Sequence, residues 1–266
     1  MFNNNANSVF TIWIKNSPDN VQIACWNSWV RFGYSPVIYV DDAYNKVWAL
    51  PPKLSSKIKV RHLSSLGIES CLNNDEKLLH EVDYLRFVIL HKFGGTWLDS
   101  DMLLIRRLPL NKIIISSEHT LQSGFKKSKE LFKANIGCLR FPPGHEFTKA
   151  VVDKMAPTTA EDLKDGINMT SKMLKFIKML KLKKWSHMNQ YVMKPEVFCA
   201  VPWPWAKELY RKHLLEVTGE KYGLSSNYID ESTCGVHLWA NFKKNKHKIE
   251  NEDIHPESLY KNLLGW

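Results

Sequence analysis

Long apolar runs are missing from this chain. Spanning a bilayer takes roughly 20 consecutive, mostly apolar residues, and no window of the 266 residues approaches that. The first residues, Met1-Phe-Asn-Asn-Asn-Ala-Asn-Ser, lack both a charged lead and an apolar core, so no secretory signal is expected. Cysteine is sparse. The five (Cys25, Cys71, Cys138, Cys199, Cys234) are odd in number, scattered and without a C-x-x-C pair, which points to reduced thiols in a cytoplasmic protein. Internal repeats and linker-like stretches are absent too, so residues 1–266 are expected to form a single domain. With 44% hydrophobic and 24% charged residues, disorder, a collagen-like chain and a disulfide-rich miniprotein are excluded. Acid is short relative to base: 27 Asp+Glu against 37 Lys+Arg leave a formal charge of +10. That charge suits nucleic acid, an anionic membrane surface or a phosphorylated substrate, and composition does not choose among them.

What is present alternates. Val9 to Ile14 is a β-branched and aromatic run that ends at the turn signal Asn16-Ser-Pro-Asp-Asn20, so it reads as a buried strand. From Val21 to Phe32 apolar residues recur at helical spacing until Gly33. Strands are then expected at Pro36–Val40 and Ile58–Val60, with a helix-like stretch between them. Strand, helix, strand at this spacing is the pattern of βαβ units and a parallel sheet. Residues 73–93 carry the clearest helical signal. Asn73 suits the N-cap with Glu76 three residues on, Leu78, Val82, Leu85, Ile89 and Phe93 form a stripe, and Gly94-Gly95 stops it. Thr96 to Ile105 then reads as a short apolar strand with Asp99 and Asp101 set into its middle. Later, residues 113–116 and 136–140 look like strands, 168–184 like a basic helix, and the prolines of Val201-Pro-Trp-Pro-Trp205 forbid regular structure.

Asp99-Ser-Asp101 is the sharpest local feature. Carboxylates in an apolar run are costly unless paired or metal-bound. Two of them at a strand's carboxyl end offer hard oxygen ligands for Mg²⁺ or Mn²⁺; a plain polar turn between two strands is the alternative. On the preceding helix Asp83 and Arg86 lie three apart and share a face. They suit a ligand site or an ordinary intrahelical ion pair.

Read together, Asp83-Tyr-Leu-Arg86, Gly94-Gly95-Thr-Trp-Leu and Asp99-Ser-Asp101 resemble the core signature of DXD sugar transferases of glycosyltransferase family 32. The large clostridial glucosylating toxins share that signature. Thr11-Ile12-Trp13 resembles the family's first strand, Asn135 to His145 its "Asn … Gly-His" segment, and Gly235-Val-His237-Leu-Trp239 its carboxy-terminal His-x-Trp element. Ala240 departs from the polar residue expected after the tryptophan.

The resemblance implies a GT-A-type α/β fold, mixed and mostly parallel, with a nucleotide-sugar-binding half over 1–110 and an acceptor-shaping half over 111–266. It implies a metal held by Asp99, Asp101 and His237, with Asp101 as direct ligand. The donor, a nucleotide-sugar expected to be UDP-linked, would lie on Thr11, Ile12, Trp13, Leu78, Asp83, Arg86, Asp99, Asn135 and Trp239. Asp83, Arg86 and Asp101 would carry the catalysis. Implied as well is retention of anomeric configuration. No positioned carboxylate nucleophile is identifiable in the sequence, so attack on the same face as the leaving phosphate is expected.

The acceptor expected is a bacterial surface glycan or glycolipid, such as lipopolysaccharide or capsule. A host protein, as for the toxins, or a silent protein that only binds sugar-nucleotide or membrane are the alternatives. Residues 164–184 hold seven lysines and one acid, with Met173, Phe176, Ile177 and Leu180 on one side. That suits a helix lying on an anionic inner membrane face, or a solvated helix packed by its apolar side. No nucleic-acid role is expected, because no recognition motif accompanies the lysines. His237 is otherwise an ordinary structural histidine; His80 and His91 are read as structural or exposed. Trp203 and Trp205 suit either an acceptor platform or the core.

Overall fold

The computed structural model describes residues 7–14, 17–41, 50–67, 75–119, 132–156, 169–203, 206, 208–211, 229–240 and 254–264, with side chains from 81 onward in the helix that starts at 75 and from 175 onward in the one that starts at 169. Strand β1 (Ser8–Ile12) is followed by α1 (Asn20–Arg31), whose first turn is closed by a capping box. The Asp19 carboxylate accepts from the Val21 N–H at 2.8 Å, and Gln22 Oε1 accepts from the Asp19 N–H at 3.2 Å. Strand β2 (Ser35–Val40), a short α2 (Pro52–Ser55) and edge strand β3 (Lys59–His62) complete the first βαβ series. Helix α3 (Asp75–Phe93) leads into β4 (Gly95–Leu98). Its proposed cap, Asn73, lies outside the described residues.

Six strands form one sheet in the order β3-β2-β1-β4-β7-β6, where β6 is Ile114–His119 and β7 is Phe132–Phe141. The first four run parallel; β7 and β6 are antiparallel to their neighbours. This is the mixed, mostly parallel α/β sheet expected. Both strands from beyond residue 110 extend the sheet built by the first half.

Alternation along the strands divides the core in two. Val9, Ile38 and Val40 face Val21, Cys25, Trp26 and Trp29 of α1. Phe10, Ile12, Val37 and Tyr39 face Leu85, Ile89 and the helices α4 (Glu146–Met155) and α5 (Met169–Lys181). With both faces covered, β1 and β2 read as nearly continuous apolar runs, as central parallel strands do. Among the described residues no helix is long and apolar enough to cross a membrane.

One expected element is broken. Thr96 to Ile105 is not a single strand: β4 ends at Leu98, a turn closed by Met102 N–H on Asp99 O (2.9 Å) follows, and β5 (Met102–Leu104) pairs antiparallel with β8 (Gly235–His237) in a separate ribbon. A strand covered on both faces has no polar partners for two carboxylates, so the chain leaves the sheet where they begin. A long 3₁₀ stretch, Lys183–Tyr191, follows α5, and two short helices, α6 (Glu208–Arg211) and α7 (Leu259–Leu264), pack together near the carboxyl end.

The entry to β4 depends on glycine. Gly94 has φ 64, and a Cβ there would stand 2.5 Å from Pro143 Cδ. Gly94→Ala is therefore expected to destabilise the fold by at least about 2 kcal/mol, combining left-handed strain with overlap. A lowered urea midpoint at unchanged m-value checks this.

Candidate active site

Strand order reverses beside β1: the chain moves outward through β2 and β3, then returns to place β4 on β1's other side. In open α/β sheets ligands settle outside the carboxyl ends of strands at such a switch point. The cleft lies there. It encloses about 370 Å³ and is bounded by Thr11, Ile12 and Trp13 at the carboxyl end of β1 and by Asp99 and Asp101 after β4. Arg86 of α3 and His237 with Trp239 after β8 complete the expected part of its wall.

Eight sequence-expected residues therefore meet in one place. Asp83 sits behind Arg86, buried and ion-paired to it at 2.7 Å. Leu78 and His80 fall among the α3 side chains outside the described set. Asn135 does not line the cleft: Nδ2 donates to Glu118 Oε2 (3.0 Å), and Oδ1 accepts from the Gly137 N–H (2.6 Å). His91 is structural, within 3.1 Å of Thr148 Oγ1. Trp203 packs partly buried against the core, and Trp205 lies outside the described residues.

Arg86 organises the near wall. Nη2 donates to Asp83 Oδ1, while Nη1 donates to Asp99 Oδ1 at 3.2 Å and to the Ile136 carbonyl at 2.5 Å. Trp97 Nε1 donates to the same Asp99 oxygen at 2.8 Å, and the guanidinium lies 4.9 Å from the Trp97 ring centre. Trp97 was not foreseen as a site residue. Its signal is the strand period, which places residues 97 and 99 on one face.

Asp101 is held from the carboxy-terminal side. Oδ1 lies 3.0 Å from His237 Nε2, Oδ2 accepts from the Ala240 N–H at 2.7 Å, and the Asp101 carbonyl accepts from the Leu238 N–H at 3.0 Å. Trp239 makes this wrap possible with a left-handed backbone at φ 52, unusual for a bulky residue. Burial alone would raise the Asp101 pKa, but the imidazolium and the Ala240 N–H hold it below the ordinary carboxylate value. Burial works against a charged His237, yet Asp101 pushes its pKa well above the usual imidazole value. The Cys199 thiol, beside the same ring, is raised by burial.

Residues 4–120 match the family described as the glycosyltransferase sugar-binding region containing a DXD motif. The match spans less than half of the chain, which is thus similar over that stretch to the sugar-binding region of DXD glycosyltransferases. No curated relative matches it. Among solved structures, the PaToxG glycosyltransferase is similar at 15% identity over 70% of this chain and 74% of that one, with a TM-score of 0.45. The UDP-bound glycosyltransferase domain from the YGT toxin reaches 12% over 69% of each chain, TM-score 0.37. A glycosyltransferase involved in glycosylation of the major capsid of PBCV-1 reaches 10% over 91% and 100%, TM-score 0.37.

Asp99 and Asp101, within the matched stretch, and His237, beyond it, form a cluster of the kind that can hold a divalent cation. One donor atom each from Asp99, Asp101 and His237 lies within 4.8 Å of the others. Two carboxylates and one imidazole suit Mn²⁺, and the carboxylates suit Mg²⁺. The strand opposite leaves room for them only because residue 137 is glycine. A Cβ there would stand 2.9 Å from Asn135 Oδ1 and 3.2 Å from Asp99 Oδ2. With Mn²⁺ as the cluster's ion, Gly137→Ala is therefore expected to weaken its binding at least tenfold, as supporting-shell changes do, and to lower the thermal midpoint as well, because the added carbon overlaps the buried Asn135 Oδ1. Isothermal titration and a melting curve read the two effects separately.

Proposed function

We propose that this protein transfers a hexose or N-acetylhexosamine from a UDP-linked donor to a bacterial surface glycan or glycolipid, such as lipopolysaccharide or capsule. It works in the cytoplasm as a single catalytic domain and retains the sugar's anomeric configuration. The observation that carries this reading is the two-carboxylate, one-histidine cluster at the carboxyl end of β4, set in the same cleft as Trp13 and Arg86.

The side chains divide the work by chemistry. Trp13, half-buried against Trp26 in an edge-on contact with ring centres 6.3 Å apart, offers an aromatic face to the donor's base, with Leu78 as its expected companion. Thr11 and Ile12 supply the floor at the end of β1, and Trp239 the opposite wall. Arg86 brings a permanent positive charge to the sugar–diphosphate end, with Asp83 fixing its direction. Asp99, Asp101 and His237 would hold Mn²⁺ or Mg²⁺, which neutralises charge on the departing nucleoside diphosphate. Asn135 acts on the sugar site through Gly137, whose backbone it holds.

Same-face attack suits the cleft's contents. Among its described lining residues the carboxylates are Asp99 and Asp101. The first is bonded to Arg86 and Trp97, the second to His237 and the Ala240 N–H. Double displacement would need a carboxylate released to attack the anomeric carbon. In its place the acceptor hydroxyl approaches beside the leaving phosphate, whose oxygen takes the proton.

The test is donor turnover. With Mn²⁺ the protein is expected to bind and slowly hydrolyse a UDP-sugar, and EDTA is expected to stop it. Asp101→Asn preserves the shape of the buried group and is expected to lower turnover at least about 100-fold. Alanine is the poorer probe, because it strips partners from His237 and Ala240 and threatens the fold. If neither UDP- nor GDP-sugars are bound or consumed with Mn²⁺, the reading is wrong.

A further inference from the structure

Large apolar side chains held out in water are few. Among the described residues they are Val60, Leu110 and Leu182, at 49%, 98% and 54% exposure. Val60 stands on edge strand β3 between Lys59 and Arg61, where flanking charge guards an open edge. Neither leucine has such a reason.

Both leucines are presented on fixed backbone. Arg140 grips the chain on either side of Leu110: Nη1 donates to the Pro109 carbonyl at 2.5 Å and to the Asn111 carbonyl at 3.2 Å. Its Nε is tied to Thr96 Oγ1 at 2.8 Å. Leu182 donates its N–H to Met179 O (3.0 Å) and accepts from the Trp185 N–H (2.8 Å). Trp185 in turn packs edge-on against Phe147, with ring centres 5.3 Å apart.

They share one end of the molecule. Arg140 pairs with Thr96 near the start of β4, and Phe147 opens α4 just after β7 finishes at that same end. The donor cleft lies past the other end of β4. Beside the leucines in the chain lie Arg107, Lys112, Lys181, Lys183 and Lys184, all exposed. No acid occurs from residue 166 to 195 or from 102 to 117. Glu146, in the first turn of α4, and Asp230 with Glu231, whose loop bonds Arg106, are acidic neighbours that the five cations outnumber.

We propose that this end of the sheet docks on an anionic lipid surface. Leu110 and Leu182 enter the headgroup–acyl boundary, and the five cations meet lipid phosphates. Exposed leucine among cations favours a bilayer over nucleic acid, which calls for stacking platforms; of the aromatics nearby, Trp185 is only 6% exposed and the Tyr34 hydroxyl is tied to the Leu108 N–H. The contact differs from the one expected of an amphipathic helix lying in the membrane. On α5 the apolar stripe is spent inside the protein, with Phe176, Met179 and Leu180 at 0%, 6% and 2% exposure.

Vesicle co-sedimentation at low salt tests the proposal without donor or acceptor, so its outcome is independent of the transferase reading. The full chain is expected to bind phosphatidylcholine–phosphatidylglycerol vesicles, to ignore pure phosphatidylcholine, and to dissociate at high salt. Replacing Lys181, Lys183 and Lys184 together by alanine is expected to weaken binding on the order of 100-fold, at about fivefold per cation. Leu110→Ser with Leu182→Ser is expected to weaken it several-fold with an unchanged melting curve. No binding to the anionic vesicles, or equal binding to both kinds, overturns the proposal. So does binding that soluble polyphosphate matches and that survives both leucine substitutions, which marks a general polyanion surface.

Discussion

A single buried guanidinium holds this cleft in shape. Arg86 is 5% exposed and cannot shed its charge, so the fold must surround it with acceptors. It draws them from three elements: Asp83 one turn back on α3, Asp99 in the turn after β4, and the Ile136 carbonyl on β7. Each partner is fixed by the need to satisfy that charge. Removing Asp83 breaks the buried ion pair, a loss of about 3–5 kcal/mol for such pairs in general. The chemical consequence is that Asp99 is aimed before any ligand arrives.

The second carboxylate is set by different parts of the chain. Asp101 receives His237 and the Ala240 N–H from the carboxy-terminal side, and the left-handed backbone of Trp239 makes that wrap possible. Two aspartates separated by one serine are thus anchored independently, one through α3 and the other through β8. In the proposed transferase reading, groups already held in place need no reorganisation during reaction, which is the condition for electrostatic catalysis. The pair is a local acidic spot, offset by Arg86 and His237, in a protein of net charge +10, and the excess base lies mostly outside the cleft.

Much of the first half was legible in order along the chain. The βαβ series, the long helix to Phe93 and the glycine stop all follow from apolar period and from glycine's backbone freedom. Asp83, Arg86, Asp99 and Asp101 stood out through the resemblance to DXD sugar transferases; charge in an apolar run drew notice to the two aspartates, while a polar turn and an ordinary ion pair fitted the residues as well. The break between β4 and β5 was not visible. Apolar residues continue on both sides of the aspartates, and only the competition between the large sheet and the β8 ribbon for those strands decides it. Asn135 looked like a group aimed at the sugar, and its partner Glu118 lies 17 residues away in an adjoining strand, beyond reach of local pattern.

The sequence by itself determined which residues are chemically exceptional, because cost and period are local properties of a chain. It also determined that α5 would have an apolar and a basic side. Tertiary structure decided how each was used. It turned the apolar side of α5 inward against Phe87 and Phe147, and left Leu182 at its end facing water. It brought His237 within 3.0 Å of Asp101 across 136 positions. Burial and long-range contact depend on the packing of all elements at once, and no local pattern encodes that.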